Sequence, residues 1–225
     1  MITVSKEDYL KAILEAESEG ESVISARLAD WLKVSAPAVT MAVRRLKKDA
    51  LVRVQGDGHL RLTAAGRKIA RRLTLRHHLI ERMLAELFGM EWWKVHDEAE
   101  RLEHAVSPDF EAKLLAKLGK GGMCPHGNMS EMESPASRRQ RGLLLLADAQ
   151  PGITYTVSGI YERDRRLLEF LEARGIRPAA KVRILERNYD QTLTLSTTSG
   201  NVSLGRAAAD RVWLSPADQR PPRSG

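Results

Sequence analysis

The sequence predicts a mainly α chain with a β appendage, an α+β fold of several small domains, and three observations carry that prediction. Up to about residue 118, apolar residues recur mostly at helical spacing. The run Leu118-Gly119-Lys120-Gly121-Gly122-Met123-Cys124-Pro125-His126-Gly127-Asn128, and later Gln150-Pro151-Gly152, then break the helical pattern. Beyond residue 151 the pattern changes to short β-branched runs, Thr154 to Val157, Lys181 to Glu186, Gln191 to Thr197 and Asn201 to Leu204, around one helix-like stretch, Arg165 to Arg174. These runs read as a small β-barrel-like appendage.

With 225 residues, 43% hydrophobic and 29% charged, the chain can bury a core without disulfide or metal staples. One cysteine excludes an internal disulfide framework and fits a reducing cytoplasm. The longest apolar run, Leu143 to Ala147, is too short to span a bilayer, and the opening MITVSKEDYL lacks the basic and apolar regions of a secretion signal. A cytoplasmic protein with no membrane partner is expected. The net charge of +7 is uneven: residues 1–72 carry +5, residues 73–118 carry −3 and residues 151–225 carry +4. A basic head before an acidic, histidine-bearing middle suggests a polyanion at one end and cations in the centre.

In the head, a helix holding Leu28 and Leu32 is followed by Lys33-Val34-Ser35-Ala36 and a second helix beginning near Pro37. Ser35 can cap that helix and Pro37 suits its first turn. Val39, Val43 and Leu46 share one face, which leaves Ser35, Ala38, Thr40, Met41, Arg44, Arg45, Lys47 and Lys48 largely outside it. Next, Leu51-Val52-Arg53-Val54 and His59-Leu60-Arg61-Leu62 flank Gln55-Gly56-Asp57-Gly58, a hairpin signal. Alternation buries Val52, Val54, Leu60 and Leu62 and exposes Arg53, His59 and Arg61. A helix pair followed by a basic hairpin is a winged helix-turn-helix, whose second helix enters the major groove while the wing meets the phosphate backbone. The alternative is a small helical domain with a solvated basic helix.

In the middle, a long helix is expected from Thr63 to about Phe88, with more apolar positions than its own core needs, which suggests a dimer contact. His77 and Glu81 lie on it one turn apart. A second helix carries His96, Glu100, Glu103 and His104 at about 0°, 40°, −20° and 80° around its axis, so two imidazoles and two carboxylates share a face. Such a face either holds a cation or stays solvated and pairs with Arg101 or Arg82.

Over residues 5 to 215 the combined pattern resembles the diphtheria-toxin-repressor family of metal-dependent transcriptional repressors. The matching stretches are Asp8-Tyr9-Leu10, Ser35-Ala36-Pro37-Ala38-Val39-Thr40, Arg76-His77-His78-Leu79-Ile80-Glu81-Arg82, Val95 to His104 and Cys124-Pro125-His126-Gly127-Asn128. The resemblance implies a winged helix-turn-helix over residues 1–72, a helical metal-binding and dimerisation domain over 73–140, a linker over 141–152, an SH3-like domain over 153–217 and a disordered tail over 218–225. It also implies a homodimer on double-stranded operator DNA.

Carried over by position, the resemblance implies a primary metal site of Asp8, Glu100, Glu103 and His104, a second site of His77, Glu81 and His96, and a further carboxylate from Asp164. The Cys124–His126 pair is read as structural. Aspartate and glutamate at positions 8 and 100, where iron-responsive members carry methionine and cysteine, resemble the manganese-responsive branch; hard oxygen donors suit Mn(II), with Fe(II) or another divalent ion as the alternative. Lys11 stands where short manganese regulators have a glutamate, which favours two separated sites over a close metal pair. Met41 replaces the usual glutamine of iron-type members, so base preference is expected to differ. Repression of metal-uptake genes is the expected output. A metalloenzyme is the rival of another class, although no His-Glu-x-x-His motif or placed nucleophile occurs. A third possibility, a regulator sensing an organic ligand through the tail, would need a sizeable pocket there.

Overall fold

The computed structural model describes residues 6–119, 122–129 and 132–217, which form two compact units: residues up to 76 with 132–135, and residues 77–129 with 136–217. The predicted tail, 218–225, lies outside the described residues.

The first unit holds α1 (Lys6–Ser18), α2 (Ser25–Leu32), α3 (Ala36–Lys48) and a hairpin of β1 (Val52–Val54) and β2 (Leu60–Leu62), followed by the start of α4 (Ala64–Arg82). Leu10, Ile13, Leu28, Val39, Val43, Leu46, Val52 and Leu60 make its core. Lys33 takes a left-handed φ of 53°, ends α2 and turns the chain into α3, whose N-cap Ser35 accepts from the Ala38 amide. β1 and β2 pair antiparallel with Val52 opposite Leu62 and Val54 opposite Leu60. Val54 was expected inside and is exposed, whereas its cross-strand partner Leu60, whose amide donates to the Val23 carbonyl, is buried, so the core covers one side chain of this pair and not the other.

In the second unit the last turns of α4 run on into a π-helical turn, Met83–Leu87, then α5 (Val95–Leu102), α6 (Pro108–Leu118) and α7 (Pro135–Gln140). The remainder comprises β3 (Leu144–Leu145), β4 (Thr154–Ile160), α8 (Arg165–Glu172), β5 (Lys181–Arg187), β6 (Leu193–Thr197), β7 (Gly200–Leu204), α9 (Arg206–Ala209) and β8 (Val212–Pro216). One antiparallel sheet runs in the order β3-β8-β4-β5-β6-β7. Two of its strands went unforeseen. β8 lies between β3 and β4, and residues 144–149, expected within a linker, supply β3 and the buried Leu146, Ala147 and Ala149. Those apolar side chains leave water against the sheet, so the segment packs as an integral layer rather than as a connection.

Candidate metal centre and nucleic-acid interface

Every position singled out on the recognition helix is exposed: Ser35, Pro37, Ala38, Thr40, Met41, Arg44, Arg45, Lys47 and Lys48. Val39, Val43 and Leu46 anchor the opposite face, so the helix presents four cations to solvent at little packing cost. On the hairpin Arg53 and Arg61 are exposed, Arg61 lies 3.9 Å from Glu17, and the half-buried His59 pairs through Nδ1 with Asp57 at 2.9 Å.

The second unit holds a buried cluster of charged and imidazole side chains. Successive turns of α4 turn His77, His78 and Glu81 inward, α5 adds His96, and the turn after α5 adds Glu103. His77 Nε2 lies 3.0 Å from both Glu81 Oε1 and His96 Nδ1, and His96 Nδ1 lies 3.1 Å from Glu81 Oε1. On its other edge His77 Nδ1 meets Glu103 Oε2 at 2.7 Å. Helix periodicity accounts for this part of the cluster.

Three further members, Cys124, His126 and Glu162, come from outside the helices, as does their proximity. Gly127 turns the Cys-Pro-His loop with φ of +84° and passes so close to β4 that a Cβ there would sit 2.1 Å from the Ser158 carbonyl oxygen. The Ile160 amide donates to the His126 carbonyl, and Asn128 Nδ2 donates to the Ile160 carbonyl and to Glu162 Oε2 at 2.6 Å. The loop is thereby held against the end of β4. Cys124 Sγ then lies 3.5 Å from Glu162 Oε2, and His126 Nδ1 lies 3.5 Å from Glu81 Oε1.

Asp164, expected as the carboxylate of this segment, is exposed and caps α8 by accepting from the Leu167 amide at 3.1 Å. Glu162 is the carboxylate that reaches the cluster, because the chain leaving β4 turns its side chain inward before the helix begins. The Cys124–His126 pair, read from the sequence as structural, touches the same two buried carboxylates. His78, Cys124, His126 and Glu162 were missed as members of the site. The only advance signals were the doubled histidine after Arg76 and the tight Cys-Pro-His-Gly turn.

Two groups of four ligand atoms, each mutually within 4.8 Å, result: His77, Glu81, His96 and Glu162, and His78, Glu81, Cys124 and Glu162. They share both carboxylates. The first offers nitrogen and oxygen donors suited to Mn(II) or Fe(II), and the second brings a sulfur that favours softer ions. Buried Glu81 Oε2 and His126 Nε2 make no hydrogen bond among the described residues, the condition of atoms that a cation would satisfy. The donor set fits a divalent metal.

Electrostatics agree with that fit. Burial works against ionised Glu81, yet the charges of His126 and His77 hold its carboxyl well below the usual range. Burial and the Glu81 charge oppose ionised Glu162, and His78 and His126 outweigh them. Burial likewise disfavours protonated His96, but hydrogen bonds to Glu100 and Glu81 and the Glu162 charge push it up to about 10. Burial, then Glu81 and Glu162, push the Cys124 thiol up. In the absence of an ion, a proton on His96 offsets part of the carboxylate charge.

Of the expected primary set, Glu103 is buried, and His104, one-third exposed, lies with Nε2 3.6 Å from Glu103 Oε1. Glu100 turns toward His96 Nε2 at 3.6 Å and Arg163 Nη1 at 3.5 Å. Asp8 lies half-buried in the first turn of α1, in the other unit.

Fold and site together define a class: a winged-helix chain that carries its own buried cation centre and an SH3-like sheet. The chain belongs to the iron-dependent repressor family. The family models matched are the iron dependent repressor N-terminal DNA binding domain over residues 1–60, the metal binding and dimerisation domain over 63–131, and the FeoA domain over 144–216. It is 42% identical over 122 residues to the iron-dependent repressor IdeR of Mycobacterium bovis, covering 54% of this chain and 53% of the relative, so the match spans about half the length of that protein. To the diphtheria toxin repressor of Corynebacterium efficiens it is 32% identical over 197 residues, covering 84% and 86%. A solved manganese-dependent transcriptional repressor in complex with manganese superposes with a TM-score of 0.82 at 32% identity, covering 94% of this chain and 100% of that one. The solved structure of ScaR with bound Zn2+ gives 0.78 at 27% identity, covering 95% and 100%.

Proposed function

We propose that this chain is a metal-dependent transcriptional repressor that binds double-stranded operator DNA as a homodimer when Mn(II) is abundant and shuts off metal-uptake genes. The observation that carries this reading is the buried group His77, Glu81, His96 and Glu162, whose atoms converge within 4.8 Å while the partner unit keeps its cations in water on α3. Exposed Leu87, Phe88, Leu102 and Phe110 on the helical part of the second unit support a contact with a second copy.

The resemblance assigns the regulatory link to Asp8, Glu100, Glu103 and His104. A bound divalent ion would supply the positive charge that lets these groups share one place. Without it the three carboxylates repel, and the reading head is free of the body. With it, both heads of a dimer keep the spacing that two half-sites require. By linkage, operator DNA tightens metal binding by the same factor that metal tightens DNA binding.

Fe(II) is the second reading, favoured by the iron-dependent relatives and by the Cys124 thiol beside the cluster. Hard oxygen donors at positions 8 and 100 favour Mn(II). A gel shift on the chain's own upstream region, titrated with Mn(II), Fe(II), Zn(II) and EDTA, tests both. Retardation is expected with Mn(II) at the lowest concentration and none in EDTA, and Glu103→Ala is expected to lose the response while keeping its fold. Equal retardation in EDTA would overturn the reading.

A further inference from the structure

The segment that leaves β4 sends Glu162 into the cluster and the next residue, Arg163, out along α5. Arg163 is itself largely covered, with 16% of its side chain exposed, and its Nη1 lies 3.5 Å from Glu100 Oε1. The same oxygen faces His96 Nε2 at 3.6 Å. His96 uses its other nitrogen, Nδ1, toward Glu81 and His77, so Glu100 backs the imidazole from behind while Arg163 holds Glu100 in that place. Three residues earlier on α5, Asp97 takes the next arginine of the segment, Arg165, at 3.2 Å, and that guanidinium lies over the Trp93 ring. Two arginines two residues apart thus pair with two carboxylates three residues apart on α5. Only one of those carboxylates, Glu100, belongs to the proposed metal set.

We infer that Arg163 is a resident counter-cation that holds Glu100 against His96 and sets the metal threshold of the Glu100, Glu103 and His104 set. A divalent ion that takes Glu100 must draw it away from the guanidinium, so Arg163 lowers affinity at that set and makes the sheet-bearing part of the chain a determinant of it. The inference rests on the proposed metal reading. Arg163 is a positioning residue, since it touches the ligand rather than the ion.

The test is Mn(II) binding to the full-length dimer without DNA, counted by the loss of the free-ion electron paramagnetic resonance signal, for the parent, R163A, R163Q, R163K, R165A and E103A. R163A is expected to tighten the class of sites that E103A removes by up to about fivefold, the range of a partly exposed ion pair, with R163K nearer the parent. R165A breaks the neighbouring pair and should leave both classes of site unchanged. An R163A isotherm that overlays the parent, or is weaker, overturns the inference, as does an R165A isotherm that tightens equally, because that reports mere loosening of the segment. If R163A melts below the parent, R163Q, which keeps the stem and removes the charge, carries the comparison and is expected to tighten the same sites. If E103A binds as many Mn(II) ions as the parent, the metal set itself falls; if E103A loses a site while R163A and R163Q bind like the parent, only the role of Arg163 falls.

Discussion

The α3 helix of the first unit keeps its charge in water, and the histidine–carboxylate cluster of the second takes charge out of it. Arg44, Arg45, Lys47 and Lys48 stand exposed on α3, where each cation stays hydrated and costs the fold almost nothing, while the second unit buries His77, His78, Glu81, His96, Glu103, His126 and Glu162. Each buried ion gives up several kcal/mol of hydration and depends on its neighbours for return. Exposed charge is therefore available to a partner without reorganisation, whereas buried charge is cohesive only as a complete set. The first arrangement suits a polyanion, and the second suits a small cation.

The sharpest way to break that contrast is Glu81→Ala, which takes away the carboxylate common to both buried groups. We expect a loss of about 3 kcal/mol in urea unfolding of the metal-free protein, the range for stripping one partner from a buried ionic cluster, along with loss of a Mn(II) ion. A change below about 0.5 kcal/mol, the size of an ordinary surface substitution, would show that the cluster is not a cohesive set. Next in size, Mn(II) at about 100 times its Kd should raise stability by about 2.7 kcal/mol. Hydrogen exchange should place the added protection on α4 and α5 and leave β1 and β2 nearly unchanged.

The pH dependence sharpens the same contrast. With His96 raised from 6.5 to about 10, metal ligation must expel its proton at neutral pH, so Mn(II) affinity should rise with pH from 6 to 8, by up to about tenfold per unit for one proton. Calorimetry in buffers of different ionisation enthalpy should detect proton release on binding, and no release would contradict the balance described for the cluster. For folding, the raised His96 contributes fully below its ordinary value of 6.5 and loses its contribution as pH rises through about 10. The lowered Glu81 and Glu162 contribute above about 4.5 and lose it as pH falls further. The metal-free second unit should therefore be most stable between about pH 4.5 and 6.5. Smallest of all, Arg44→Ala should leave stability within about 0.5 kcal/mol and reduce the slope of log affinity for operator DNA against log salt by about 1, if Arg44 meets a phosphate.

The two regions also differ in how far they could be read in advance. Ser35, Pro37 and the Val39, Val43, Leu46 stripe announced α3, because caps and helical period act over a few residues. His77 with Glu81 was readable for the same reason. Glu162 was not, and Asp164 was named instead, because which residue leaving a strand turns inward depends on where the next helix is capped. Cys124 and His126 reach the cluster only because Gly127 lets their loop lie against β4 at Gly159. Val54 failed because alternation says which side chains share a face but not whether anything covers it, and β8 because its consecutive buried Val212, Trp213 and Leu214 show no alternation.

By itself, the order of residues determined the helix-turn-helix pair, the wing, the long helix α4, α5, the separation of basic head from acidic middle and the resemblance to the family. All of these follow from periodicity, breakers and local motifs, whose physics spans a turn or two of chain. Only the tertiary structure decided which carboxylates and imidazoles share one dry space and which arginine restrains Glu100. Those choices depend on long-range packing and on the energy of charge removed from water, and neither quantity exists until the chain has closed around the site.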